Sequence, residues 1–120
     1  MAGKLTHFEI RADDSDRAQN FWSSLLGWQF NSMPVGESQY AMADTGDGLT
    51  AGLYKCDSGD RGLVVYFDVE DLEAALAQVG ELGGKPGEKS PVPEIGWFAN
   101  CVDSEGNPFG LFEEDRSAAA

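Results

Sequence analysis

The chain has 120 residues, 21 of them Asp or Glu against 8 Lys or Arg, for a formal net charge of −13. That length bounds one compact domain, and the acidity argues against nucleic acid, whose phosphates need a basic stripe. No apolar run reaches the roughly 18 residues of a membrane span, and no signal peptide opens the sequence. Cys56 and Cys101 lack metal-ligand spacing and read as free thiols of a cytoplasmic protein.

Residues Leu5–Ala12 alternate, with Phe8, Ile10 and Ala12 on one side and His7, Glu9 and Arg11 on the other. A period of two means a strand with two unlike faces. Asp14 or Ser15 then caps a helix, Asp16 suits its first turn, and Gly27 closes it. Ala18, Phe21, Trp22, Leu25 and Leu26 recur at helical spacing, which predicts a stripe packed in the core. Trp28–Ser32 reads as a strand, with Trp28 at a seam between modules or between subunits. Pro34 and Gly36 punctuate the chain, Gln39–Ala43 is the next strand, Gly46–Gly48 a hairpin turn, and Leu49–Tyr54 a fourth strand.

Cys56–Gly62 reads as a linker, and the pattern then starts again. Leu63–Val69 is a strand, and Asp71 caps a helix whose stripe is Leu72, Ala75, Leu76 and Val79. Gly83 and Gly84 stop it, and Lys85–Lys89, broken by Pro86 and Gly87, is a poor edge strand. Pro91 and Pro93 lead into a strand over Ile95–Val102. Ser104–Asn107 is a hairpin, Phe109–Glu113 the last strand, and Ser117–Ala120 a disordered tail.

The two halves are copies. A displacement of 57 residues lays His7–Ala12 on Val64–Val69 and Asp14 on Asp71. One of 58 lays Tyr40 on Phe98 and Gly52–Tyr54 on Gly110–Phe112. An internal repeat decides architecture before any local reading does. The expectation is an α+β domain of two tandem βαβββ modules, residues 4–55 and 62–114, whose curved sheets enclose a cleft. Each helix covers one sheet face. Parity then turns His7, Glu9, Arg11, Tyr54, Tyr66, Asp68 and Phe112 toward the cleft.

This repeat resembles the glyoxalase/bleomycin-resistance/dioxygenase superfamily, the vicinal oxygen chelate fold. The resemblance rests on His7–Ile10, Asp16–Ala18, Phe21–Trp22 with Leu26–Trp28, Val69–Ala75, and the closing segment Asp103–Gly110. It implies a homodimer, and metal-ligand positions at His7, Gly52, Val64 and Gly110. Only His7 among these has a donor atom, whereas a catalytic divalent ion needs about three protein ligands. Neither a metal nor another cofactor is therefore expected. Glu113, on the last strand, points by parity to the opposite face.

Several chemistries remain for the cleft. Glu9 and Asp68 form either a carboxylate pair for acid–base work or, the preferred reading, ion pairs with Arg11. His7 serves as a general base or as a structural group, and with a single histidine no Ser–His–Asp or Cys–His arrangement exists. The glycine-rich turns precede strands, so they are hairpins and not phosphate loops. Tyr54, Tyr66 and Phe112 either wall a ligand site or fill it themselves. The first expectation is a metal-independent small-molecule binding protein that sequesters a drug or metabolite, the ligand being cationic or a neutral aromatic. The second is a lyase, isomerase or dioxygenase relative that uses His7 and Glu9; the third, a vestigial fold serving as an interaction module.

Overall fold

A computed structural model describes residues 3–35, 38–55 and 62–118. Cys56 and residues 57–61 of the expected linker lie outside them, as do Gly36 and residues 119 and 120. The order is β1 (Leu5–Ala12), α1 (Ser15–Leu26), β2 (Asn31–Val35), β3 (Ser38–Gly46), β4 (Leu49–Lys55), β5 (Gly62–Asp68), α2 (Leu72–Glu81), β6 (Ser90–Val92), β7 (Gly96–Val102) and β8 (Pro108–Glu114). This is βαβββ twice, an α+β fold. The chain groups into one unit over Thr6–Val64 and a second running from Val65 on, to which Gly3, Lys4 and Leu5 also belong. Those first residues belong there through two bonds: Gly3 N–H donates to the Asp68 carbonyl (2.7 Å) and Asp68 N–H to that of Lys4 (2.8 Å).

In the first unit the strands run β2-β3-β4-β1. The outer pairs are antiparallel, and β1 runs parallel to β4. Asp14 caps α1 by accepting from Arg17 N–H at 3.0 Å. Gly27 ends the helix with φ 76°, a left-handed conformation that costs glycine little. Ile10, Ala41, Ala43, Ala51 and Leu53 are buried beneath the helix.

The contact face of α1 differs from the apolar stripe in the sequence. Ser15, Ala18, Gln19, Trp22 and Ser23 are the shielded positions, while Phe21, Leu25 and Leu26 are 57%, 63% and 50% exposed. The cause is Trp28. It stacks on Trp22 (5.7 Å between centroids) and tilts against Phe8 (5.8 Å), so one indole–indole contact fixes the helix rotation. Phe21 is left edge-on to Trp22 at 5.2 Å, outside the core. Trp28 therefore packs inside its own module. With Trp28–Phe30 committed to this cluster, β2 begins at Asn31, three residues later than the pattern suggested.

The second unit repeats the order as β5-β8-β7-β6, with β5 parallel to β8. Asp71 caps α2 through Ala74 N–H (3.1 Å). Leu72, Ala99, Cys101 and Leu111 form the buried core, with Ala75, Leu76 and Val79 of the helix stripe against it. The edge strand is Ser90–Val92, opposite Gly96–Phe98, and not Lys85–Lys89, where Lys85 alone makes an isolated bridge to Val102. Pro91 sits within this strand because an edge needs no donor on its outer side. Trp97 joins the core side and donates to Asp115 Oδ2 at 3.1 Å, under the Lys89 ammonium. The tail is tied down as far as Ala118, which accepts from Glu94 N–H (3.0 Å) and is 4% exposed, so the expected disorder does not start at Ser117.

Leu72 is fully buried, so Leu72→Ala should cost about 2–5 kcal/mol. Phe21→Ala, cut from an exposed ring, should cost under about 1 kcal/mol. Urea denaturation of the two variants measures the difference, and equal losses would contradict this assignment of the helix faces.

Candidate functional site

On the first module the face away from α1 is polar by register. His7 pairs with Thr50, Glu9 with Gly52 and Arg11 with Tyr54, while Tyr40 lies opposite Tyr54 and Met42 opposite Gly52. Paired residues share a face, so these eight positions form one surface. At its middle Gly52 has no side chain. A Cβ there would overlap the Tyr40 hydroxyl and come within 2.9 Å of His7 Nε2. The missing atom is thus the space into which the phenol and the imidazole close.

Those rings are hydrogen-bonded. His7 Nδ1 lies 2.6 Å from Thr50 Oγ1, and the Tyr40 hydroxyl 3.0 Å from His7 Nε2. Glu9 Oε2 is 4.0 Å from the same nitrogen. Burial lowers the His7 pKa from 6.5 to about 4. At neutral pH the imidazole is therefore uncharged, and its approach to Glu9 is a polar contact and not an ion pair. The Tyr40 phenol is pushed well above its usual range, first by burial, then by the Glu9 charge and the hydrogen bond to Glu9. Both rings are held neutral.

The other expected residues fall into place module by module. Arg11 makes no ion pair with Glu9; the Glu9 carboxylate is engaged with Tyr40 and lies near His7 instead. Tyr54 is at the surface, 36% exposed. In the second module Tyr66 pairs with Gly110 and Asp68 with Phe112. Tyr66 is 5% exposed; its ring covers Gly110 and its hydroxyl donates to Asn100 Oδ1 at 2.7 Å. That ring fills its face and does not wall an open one. Phe112, half-buried, covers Gly96 in the same way. Glu113 points to the helix side, as parity required, and accepts from Leu72 N–H at 2.8 Å.

Tyr40, Thr50 and Asn100 are the participants that the sequence reading passed over. The signal was present: hairpin register places Tyr40 diagonally across from Gly52 and Asn100 directly opposite Gly110, and Thr50 shares the parity of Gly52 on β4.

The metal positions implied by the resemblance do not fit an ion. Gly52 and Gly110 have no donor and are covered by tyrosines, and Val64 is buried and apolar. Among the described residues no three His, Cys, Asp or Glu side chains cluster as ligands. His7, the one donor of the four, already has Thr50 and Tyr40 at its two nitrogens.

Because His7 is held at about 4 in the fold and returns to 6.5 on unfolding, the unfolded chain takes up the proton first as pH falls. The stability tied to the neutral ring is whole above pH 6.5 and is lost toward pH 4, about 3 kcal/mol in all. Urea unfolding of wild type and His7→Gln at pH 7.5 and 4.5 should show the wild-type advantage shrinking in acid. An advantage equal at both pH values would contradict a buried neutral ring.

Comparison with known proteins bears on the family and the fold. The sequence model of the glyoxalase-like domain matches residues 7–112. CFP32 of Mycobacterium tuberculosis is 28% identical over 115 residues, covering 92% of this chain and 44% of that protein, so the chain spans less than half of that relative. Methylmalonyl-CoA epimerase of Mycobacterium tuberculosis superposes with a TM-score of 0.75 at 17% identity, over 94% of this chain and 88% of that one. A Streptomyces coelicolor methylmalonyl-CoA epimerase variant in complex with 2-nitronate-propionyl-CoA gives 0.73 at 18% identity, over 100% of both chains. At such identities the structural likeness speaks for fold alone. Matched by the family model across both βαβββ repeats, the chain belongs to the glyoxalase-like domain family of the vicinal oxygen chelate superfamily.

Proposed function

We propose that this protein is a metal-independent small-molecule binding protein, sequestering a drug or metabolite, with its ligand on the polar face of the first module. The observation that supports this reading most is the closure of Tyr40 and His7 over Gly52. Where the fold's metalloenzymes would place a ligand to an ion, this chain places a neutral phenol and imidazole. Glu9 beside them is a carboxylate with 21% of its side chain accessible, and Tyr54 offers an exposed flat ring on the same face. A carboxylate near an aromatic surface suits a cationic or neutral aromatic ligand. A homodimer in the cytoplasm belongs to the same proposal.

A second reading is an isomerase or lyase that uses Glu9 and His7. It draws on the neutral imidazole beside a carboxylate, a pair able to exchange protons, and on the fold shared with the epimerases. The two readings part on ligand charge, since the epimerase complex holds an anionic CoA ester.

A screen by tryptophan fluorescence separates them. Aromatic cations should bind best and equally well with chelator present, and Glu9→Gln should weaken them by about tenfold, or 1.4 kcal/mol. Tightest binding of anions, or loss of binding with chelator, would contradict the first reading.

A further inference from the structure

A carboxylate partly withdrawn from water is costly unless something bonds to it, so each such group calls for a reason. Six are half-buried among the described residues: Glu9, Asp13, Asp68, Asp103, Glu113 and Asp115. Asp103 accepts from the N–H groups of Glu105 and Asn107, Glu113 from that of Leu72, and Asp115 from Trp97 and Ser117. Glu9 lies against His7, and Asp13 is engaged as well. Asp68 is the exception. Its backbone is tied to Lys4, yet among the described residues no hydrogen bond or ion pair reaches its side chain. Nor is any half-buried side-chain oxygen there both sealed from water and unbonded, so both oxygens of Asp68 reach solvent.

The surroundings of this carboxylate are aromatic. Asp68 ends β5 on the face away from α2, paired with Phe112, which in turn stands opposite Phe98. Tyr66 is two residues back on the same face. The Tyr66 ring lies over Gly110 and that of Phe112 over Gly96, and the Tyr66 hydroxyl gives its proton to Asn100. None of the three rings supplies Asp68 with a donor.

We propose that Asp68 is the counter-ion of a second ligand site, built wholly on the second module, which takes a primary ammonium group carried on an aromatic stem. Phe112 and Phe98 form its apolar floor. This goes beyond the reading above, which concerns the first module. An aspartate in water is ionised at pH 7, and a charged N–H donor bonds to a carboxylate more strongly than a neutral one does. A cation is also drawn to an aromatic face within about 6 Å of the ring centroid. Neighbouring strands are about 4.8 Å apart, which puts Phe112 within that reach of a group seated on Asp68. The same carboxylate repels an anion.

Backbone proton–nitrogen spectra of the intact protein, titrated with benzylammonium, benzyl alcohol and phenylacetate, test the site. Benzylammonium should shift the amides of Asp68, Phe98 and Phe112, at an affinity at least about tenfold above that of either other probe. Asp68→Asn keeps the shape and removes the charge, and should bring benzylammonium down to the level of benzyl alcohol. Because nothing in the fold holds the Asp68 side chain, this variant should unfold at the wild-type urea concentration. A clear loss of stability would show the carboxylate to be bonded within the protein, and would overturn the site. So would a preference for benzylammonium that survives Asp68→Asn, tighter binding of phenylacetate, or no shift with any probe. Phe112→Leu should weaken benzylammonium severalfold, and an unchanged affinity would remove the ring from the site. Shifts confined to His7, Thr50 and their neighbours would overturn this second site while supporting the first-module reading.

Discussion

Tyr40 can lay its hydroxyl against His7 only because residue 52 has no side chain. β1 and β4 run parallel with Glu9 opposite Gly52, and the glycine opens a gap in the middle of the sheet face. A phenol from β3 fills the gap, and with it comes the burial that keeps His7 neutral. The second module repeats the geometry with different chemistry. Tyr66 opposes Gly110 as Glu9 opposes Gly52, and its ring closes over that glycine. A glycine facing a first-strand polar residue is thus the shared device. In the first module it makes a polar cluster; in the second it makes a packed face anchored by Tyr66 and Asn100.

Much of this was legible in the sequence, because a period of two and a repeat are both direct consequences of backbone geometry. The span of β1, the caps Asp14, Gly27 and Asp71, and the helix-facing set Phe67, Val69, Ala75 and Val79 followed from them. What failed was what depends on packing volume. The stripe through Phe21 and Leu25 is a sound helical pattern, but the stacking of Trp22 on Trp28 decides the rotation instead. The same indole delays β2. At the second edge, Pro91 was read as a lead-in when it is itself in the edge strand.

The candidate site was half legible. Parity put His7, Glu9, Arg11 and Tyr54 on one face, and register confirms that placement. Parity along a single strand says nothing about which neighbour reaches across, so Tyr40 and Thr50 were missed and Arg11 was given a bond to Glu9 that Tyr40 holds instead. The consequence for function is a change of currency. A divalent ion supplies charge and polarises its ligands. On this face a neutral phenol and imidazole close over Gly52 beside the Glu9 carboxylate.

The claim on which the whole account stands is that His7 is enclosed and neutral within that cluster. A proton NMR titration of the single imidazole, followed from neutral pH into acid in the folded protein, tests it most directly. The account predicts a midpoint at about 4, set by burial. A midpoint near 6.5 would put the ring in water, and would contradict both the closure over Gly52 and the site built on it.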